Sequence, residues 1–248
     1  MPPDFVIVGH ASNVIGLIAP VEKICALAKN FGALTLIDMA QTAGLVDLNV
    51  GLETIDFAVF AGHKTLFAPT GIGGFVMNPA VKLEPILFGG TGFDSANQNL
   101  PSTLPERFEV GTLNIAGVAG LNAALKWLGS RTVTKIFREE QLCRRRLIEI
   151  LCAYDFLKVV GNVAGRNFVG IVSCIMDGVS ADSAGNIFSE RGIAVRAGLQ
   201  CAPLAHKFLG TFPDGTIRFS VNCFTSDEDF SELRAALDDI GNELWEAT

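Results

Sequence analysis

The 248-residue chain has no Cys-x-x-Cys pair and only three histidines, which leaves little from which to build a zinc site. Its six cysteines, Cys25, Cys143, Cys152, Cys174, Cys201 and Cys223, are scattered. Four of them lie in apolar periodic segments and read as small buried hydrophobes. That usage fits a reducing cytoplasm better than a disulfide framework. Positive charge is also scarce: the net charge of -7 argues against a nucleic-acid surface. The one basic run, Arg144 to Arg146, alternates with Glu139, Glu140 and Glu149 and reads as the solvated face of a helix. No apolar run reaches the roughly 18 residues that cross a membrane, and no signal peptide opens the chain. There is no internal repeat and no low-complexity segment. Apolar residues make up 49% of the sequence and charged ones 18%, so a core is readily supplied and disorder by composition is excluded.

The apolar residues form short strands alternating with helical stretches. Asp4 to Gly9 reads as a buried strand. Residues 20–32 have helical periodicity, with Val21, Ile24, Cys25, Leu27 and Ala28 on the apolar face and Pro20 in the first turn. Leu34 to Ile37, Phe57 to Phe60 and Ile72 to Met77 read as further strands, and residues 88–114 as a long loop with a function or a partner to cover. Helices are expected at 115–128 and 132–154. Beyond them the pattern becomes that of a smaller α+β domain, with strands at 157–160, 168–176, 194–196 and 217–221 and helices at 180–191 and 227–245. The domain boundary falls near 128–135. Alternation of this kind indicates a parallel or mixed sheet covered on both faces, and functional groups in such sheets gather beyond the carboxyl ends of the strands.

Two groups stand there. Asp38 ends one strand and Lys64, in Gly62-His63-Lys64, follows another. A lysine amine can form a Schiff base with the aldehyde of pyridoxal phosphate, and a carboxylate can hold its pyridine nitrogen protonated. Alone, Lys64 also reads as a surface residue at a strand end, and Asp38 as a turn residue or helix cap. Gln41, His63 and the glycine-rich Pro69 to Gly73 share the same rim. Cys201 sits between a glycine-containing loop and a proline-started helix, where a thiol is exposed and its pKa can fall; the plain alternative is an incidental loop cysteine. Arg218 interrupts an apolar strand. It either makes a structural salt bridge or captures a substrate carboxylate with its planar fork.

Together these segments resemble the class V aminotransferase family, and within it the cysteine desulfurases. The resemblance rests on residues 10–16 (HASNVIG), 38–44 (DMAQTAG), 56–74 (DFAVFAGHKTLFAPTGIGG), 107–121 (RFEVGTLNIAGVAGL), 192–203 (GIAVRAGLQCAP) and 217–229 (IRFSVNCFTSDED). It implies an α/β, pyridoxal-phosphate-transferase-like fold. A mixed sheet with helices on both faces forms the large cofactor-binding domain over 1–130, N-terminally truncated, and a smaller α+β domain spans 131–248. By resemblance Lys64 carries the cofactor, Asp38 partners the pyridinium, Gln41 donates to the phenolic oxygen and His63 binds the phosphate. Thr112 would reach the phosphate of the neighbouring subunit in a homodimer. Asn13 and Arg218 would bind the substrate carboxylate, with Arg196 in support, and Cys201 would accept sulfur.

The implied activity converts L-cysteine to L-alanine and leaves a persulfide for a sulfur-acceptor protein, commonly in iron–sulfur cluster assembly. L-selenocysteine is the alternative substrate. Other class V chemistry, or a catalytically inactive truncated fragment, are the alternative readings. The chain departs from the family in three places. Ala61 stands where the family has serine, removing one phosphate hydrogen bond. Family members are longer at the N-terminus, and that part carries the phosphate-binding turn with its threonine and the ring-stacking histidine; none of His10, His63 and His206 replaces the latter. Leu199 and Gln200 stand where some relatives have a histidine.

Overall fold

The computed structural model describes residues 1–90, 92 and 96–246, with Glu246 described in its backbone only. Residues 91 and 93–95 of the loop expected over 88–114 therefore lie outside the described residues. Packing divides the chain into two units. The first comprises residues 1–8, 21–44 and 48–130; the second comprises 9–20, 45–47 and the residues from 131 onward.

In the first unit β1 (Phe5–Gly9), α1 (Val21–Asn30), β2 (Leu34–Asp38), β3 (Phe57–Ala61), β4 (Gly73–Met77) and α2 (Ile115–Arg131) follow in order. The strands form one mixed sheet in that same order. β2 and β3 are parallel, with Asp38 opposite Val59, and β4 returns antiparallel to β3. α1 starts directly after Pro20, whose fixed φ suits a helix start, and buries Val21, Cys25 and Ala28. Leu27, expected on that apolar face, is exposed. Below the helix, buried Asp56 accepts from the backbone N–H and the hydroxyl of Thr35 and pairs with Lys29. This joins the end of α1 to the start of β2 and of β3. Asn114 caps α2 by accepting from Gly117 N. β1 differs from its expectation: Phe5 and Ile7, alternate residues on one face of the strand, are exposed.

The second unit contains α3 (Val133–Leu151), β5 (Leu157–Val160), β6 (Ile171–Met176), α4 (Ala181–Glu190), α5 (Pro203–Leu209), β7 (Ile217–Ser220) and α6 (Asp227–Glu246). Its sheet is antiparallel in the order β5-β6-β7. Thr132 and Ser180 cap α3 and α4 through their hydroxyls. Helices and sheet close on a core around Leu147, Ile150, Cys174, Phe188, Phe219 and Leu237. Phe188 and Phe219 meet edge-to-face at 5.2 Å. The strand expected at 194–196 is a single bridge between Arg196 and Arg218. The strand expected from 168 begins at Ile171, because Phe168 bridges Leu17 instead.

The Arg144 to Arg146 run is solvated at Arg145, which is exposed, and at Arg146, which is partly exposed, but not at its first member. Arg144 is buried, with its guanidinium 4.2 Å from the Phe168 ring and bonded to Asn162. Glu140, one turn earlier, is buried as well and accepts from Gly170 N at 2.6 Å. Gly170 is forced: a Cβ there would lie 2.1 Å from Val221 O and 2.8 Å from the Glu140 side chain. Burial pushes the Glu140 carboxyl up from an ordinary 4.5 to about 7, against the smaller downward pull of the Gly170 hydrogen bond. A carboxyl raised in the fold binds its proton more tightly folded than unfolded. Stability should therefore fall as pH rises from 4.5 toward 7, by on the order of 3 kcal/mol. Glu140→Gln keeps an acceptor for Gly170 and removes the charge. The difference in melting temperature between variant and native protein is expected to move in the variant's favour from pH 4.5 toward 7; a difference that does not change with pH would refute the assignment.

Candidate active-site residues

In the first unit, four of the residues singled out by sequence gather at one end of the sheet. Asp38 closes β2 and Gly62-His63-Lys64 follows β3. These are neighbouring parallel strands, about 4.8 Å apart. Met39 N donates to Val59 O, so pairing continues one residue past Asp38 before the chain turns into Gln41. Asp38 is exposed, and one oxygen accepts from Ala40 N at 2.8 Å. That bond fixes the side chain and leaves its other oxygen unengaged among the described residues.

The lysine turn is closely determined. Gly62 N donates to Ile72 O, Ala68 N donates to Gly62 O and Phe67 N donates to Lys64 O. A Cβ on Gly62 would lie 2.6 Å from the Ile72 side chain, so only glycine lets β3 and the Ile72 segment approach this closely. Thr65 Oγ1 donates to Ala43 O at 2.7 Å, which ties this turn to the one carrying Asp38 and Gln41. His63 and Lys64 are exposed, and their side chains have no partner among the described residues. Thr112 is exposed just before α2, two residues from Asn114, whose amide donates to Gly71 O. Ala61 contributes no hydroxyl.

The second unit brings the remaining four together. Arg196 and Arg218 exchange backbone hydrogen bonds in both directions. Arg218 Nη1 donates to Asn13 O at 2.8 Å, and Asn13 Nδ2 donates to Gln200 O at 2.6 Å, one residue from Cys201. Arg218 is half-buried, its Nε is buried without a partner, and no carboxylate pairs with it among the described residues. The structural salt bridge considered from sequence is thus not what occupies this arginine. Its pKa is lowered chiefly by burial and further by the neighbouring Arg196 charge, with a smaller opposing pull from Cys201. Cys201 is exposed and Arg196 is exposed.

Sequence reasoning gave Gln200, His206 and Thr65 no part in the site. Gln200 and His206 are buried polar residues around the Cys201 loop, and a polar pair six apart in a short loop and helix carries no periodic signal. Thr65, next to the lysine, was legible only as a neighbour.

The donor set suits a pyridoxal phosphate ring: an unpartnered amine, a fixed carboxylate with a free oxygen, and an amide, all on one rim. It suits the phosphate less fully, since Ala61 gives no donor and His63 is the titratable group nearest to Lys64 in the chain. No group of three or more residues able to hold a metal occurs among the described residues, and no described helix is long and apolar enough to cross a membrane.

The aminotransferase class-V family model matches residues 2–233. A probable cysteine desulfurase of Methanothermobacter thermautotrophicus is 32% identical over 241 residues, covering 95% of this chain and 60% of that protein. One of Chlamydia muridarum is 35% identical over 244 residues, covering 96% and 59%. Among solved structures, the apo cysteine desulfurase of Thermococcus onnurineus superposes with a TM-score of 0.87 at 32% identity, over 97% of this chain and 60% of that one. The cysteine desulfurase CsdA of Escherichia coli gives 0.82 at 28% identity, over 97% and 59%. The chain thus spans about 60% of the length of the relatives it matches.

Proposed function

Because the chain belongs to the aminotransferase class-V family, we propose that it is a pyridoxal 5'-phosphate-dependent cysteine desulfurase, which moves sulfur from L-cysteine to Cys201 and releases L-alanine. The residues at 1–130 serve as the cofactor-binding domain and those at 131–248 as the small domain. The observation that carries the reading is Arg218: half-buried, without a carboxylate of its own among the described residues, and joined through Asn13 to the loop of an exposed cysteine. An arginine left so invites the carboxylate of an amino acid. The names of the relatives support the substrate.

When bound, the cofactor supplies an electron sink that makes the Cα proton of the amino acid acidic. In this reading Asp38 holds the proton on the ring nitrogen and Gln41 donates to the phenolic oxygen. His63 contacts the phosphate. Lys64 anchors the cofactor and, once free, takes the Cα proton at its Nζ and returns a proton later. Asn13 and Arg218 orient the substrate carboxylate, with the charge of Arg196 beside them. Cys201 Sγ, as thiolate, forms an S–S bond to the substrate sulfur while the Cβ–S bond breaks. The electron pair of that bond leaves with carbon, which is protonated to give alanine.

The same reading includes a homodimer in which Thr112 reaches the partner's phosphate, a cytoplasmic location, and a protein acceptor for the persulfide in iron–sulfur cluster assembly or other sulfur transfer. Thr112 is exposed and its side chain unpartnered among the described residues, as such a role needs. The test is direct. Purified protein supplied with pyridoxal phosphate, L-cysteine and a thiol reductant should release alanine and sulfide in equal amounts. Alanine formed from L-selenocysteine alone would turn the assignment to a selenocysteine lyase, and no alanine from either would sink it.

A further inference from the structure

The backbone at Cys201 is held in a conformation it would not adopt unaided. Gln200 and Cys201 have φ of 42° and 61°, two consecutive non-glycine residues in the left-handed region. Each such residue is disfavoured and persists only where its surroundings over-determine it. Cys201 cannot supply that constraint, because it is exposed and its side chain has no partner among the described residues. Gln200 can. Its side chain is buried and every polar position is used. Nε2 donates to Arg196 O at 3.2 Å and to Thr216 O at 3.0 Å. Those two acceptors fix which end of the amide is nitrogen. Oε1 therefore faces His206 Nε2 at 2.9 Å and receives the Thr216 hydroxyl at 3.2 Å.

His206 is fully buried, and its role follows from the same bookkeeping. Facing a carbonyl oxygen, Nε2 must carry the proton. Nδ1 is then free to accept from Thr211 Oγ1 at 2.8 Å. Burial lowers the pKa of His206, in keeping with a neutral ring. The chain Thr211, His206, Gln200, Thr216 is thus satisfied at every member, the condition under which a buried polar network fixes one conformation. Through Arg196 O it grips the segment carrying Arg196, through Thr216 O the segment that leads into Arg218, and through the Gln200 main-chain O it grips Asn13.

We propose that Gln200, locked by His206 and Thr216, is the positioning residue for Cys201: it holds the thiol in register with Arg218 and so sets the efficiency of sulfur transfer. This rests on the reading of Cys201 as the sulfur acceptor. Gln200 touches no reacting atom. Its effect is on where Sγ points, and a substitution there should spare cofactor binding and weaken substrate affinity less than turnover, because Arg196 and Arg218 still hold one another through their backbone hydrogen bonds.

The experiment compares the native protein with Gln200→Leu, which keeps the volume and removes all the amide bonds, and Thr216→Val, which removes one. Alkylation of Cys201 is followed with iodoacetate and with iodoacetamide, and the site is mapped by mass spectrometry. A thiol held beside Arg218 favours the anionic reagent. The ratio of the two rates should exceed that of an unstructured cysteine peptide by about fivefold, the size of one charge contact in water. Gln200→Leu should return it to the peptide value and Thr216→Val should move it part of the way. In turnover, Gln200→Leu should lower kcat for alanine release by about tenfold or more, with a smaller change in KM for L-cysteine and the cofactor absorbance unchanged. A native ratio equal to that of the peptide, or equal ratios in the native protein and both variants, overturns the proposal. If Gln200→Leu does not fold, the ratio in Thr216→Val decides. A ratio that falls as expected in a protein that makes no alanine upholds the positioning role and rejects the desulfurase reading instead.

Discussion

Lys64→Ala is expected to abolish alanine release from L-cysteine, by roughly four orders of magnitude if the amine both anchors the cofactor and shuttles the substrate proton. It should also remove the visible absorbance that the native protein acquires when pyridoxal phosphate is added. The expectation comes from the local geometry. Lys64 lies two residues beyond Gly62, whose lack of a side chain lets the turn close on Ile72. The turn is fastened to Ala43 through Thr65, so the amine is delivered to the rim that carries Asp38 and Gln41. Nothing among the described residues engages the amine. It is exposed, so alanine there should cost little stability and the melting temperature should stay within a degree or two. Absorbance retained in the variant would move the anchoring amine elsewhere. Turnover within tenfold of the native rate would remove Lys64 from the chemistry.

Much of this rim is legible in the sequence. Short apolar strands ending in Asp38 and in Gly62-His63-Lys64 are signals of local composition and spacing, and the parallel pairing of β2 with β3 puts both at one edge. The features that were not legible depend on partners distant in sequence. Glu140 and Arg144 carry the charge pattern of a solvated helix face. They are buried because Gly170 and Phe168 come over them from 30 and 24 residues further along the chain. Phe5, Ile7 and Leu27 read as core residues because apolar character alone does not say which face of an element is covered. Residues 194–196 have strand-like composition yet make one bridge, as the chain must turn at Gly198 (φ +89°) toward the cysteine loop. The hydrogen bonds of Gln200 could be anticipated from no spacing rule. They join Arg196, Thr216 and His206 through three separate segments.

Cys201→Ser separates the two halves of the proposed chemistry. The hydroxyl oxygen is a weak nucleophile toward sulfur, and the S–S bond that stores the product cannot form. The variant should keep the cofactor absorbance, since Asp38 and Lys64 are untouched, and should still respond spectrally to L-cysteine. Sulfide release under reducing conditions should drop by at least about a thousandfold, and the sulfur-atom mass increment on the Cys201 peptide should vanish. The other cysteines do not offer a substitute. Burial pushes the thiols of Cys25, Cys143, Cys174 and Cys223 upward, Cys174 to about 12, so the reactive thiolate is disfavoured at each. Cys152 is the one other exposed cysteine among the described residues, and it caps the end of α3, away in sequence from Asn13, Arg196 and Arg218. Cys152→Ser should therefore match the native protein in both readouts. Sulfide release surviving in Cys201→Ser and lost in Cys152→Ser would transfer the acceptor role to Cys152. Release surviving in both variants would mean that sulfur leaves without an enzyme persulfide, and the desulfurase reading would give way to a simple elimination.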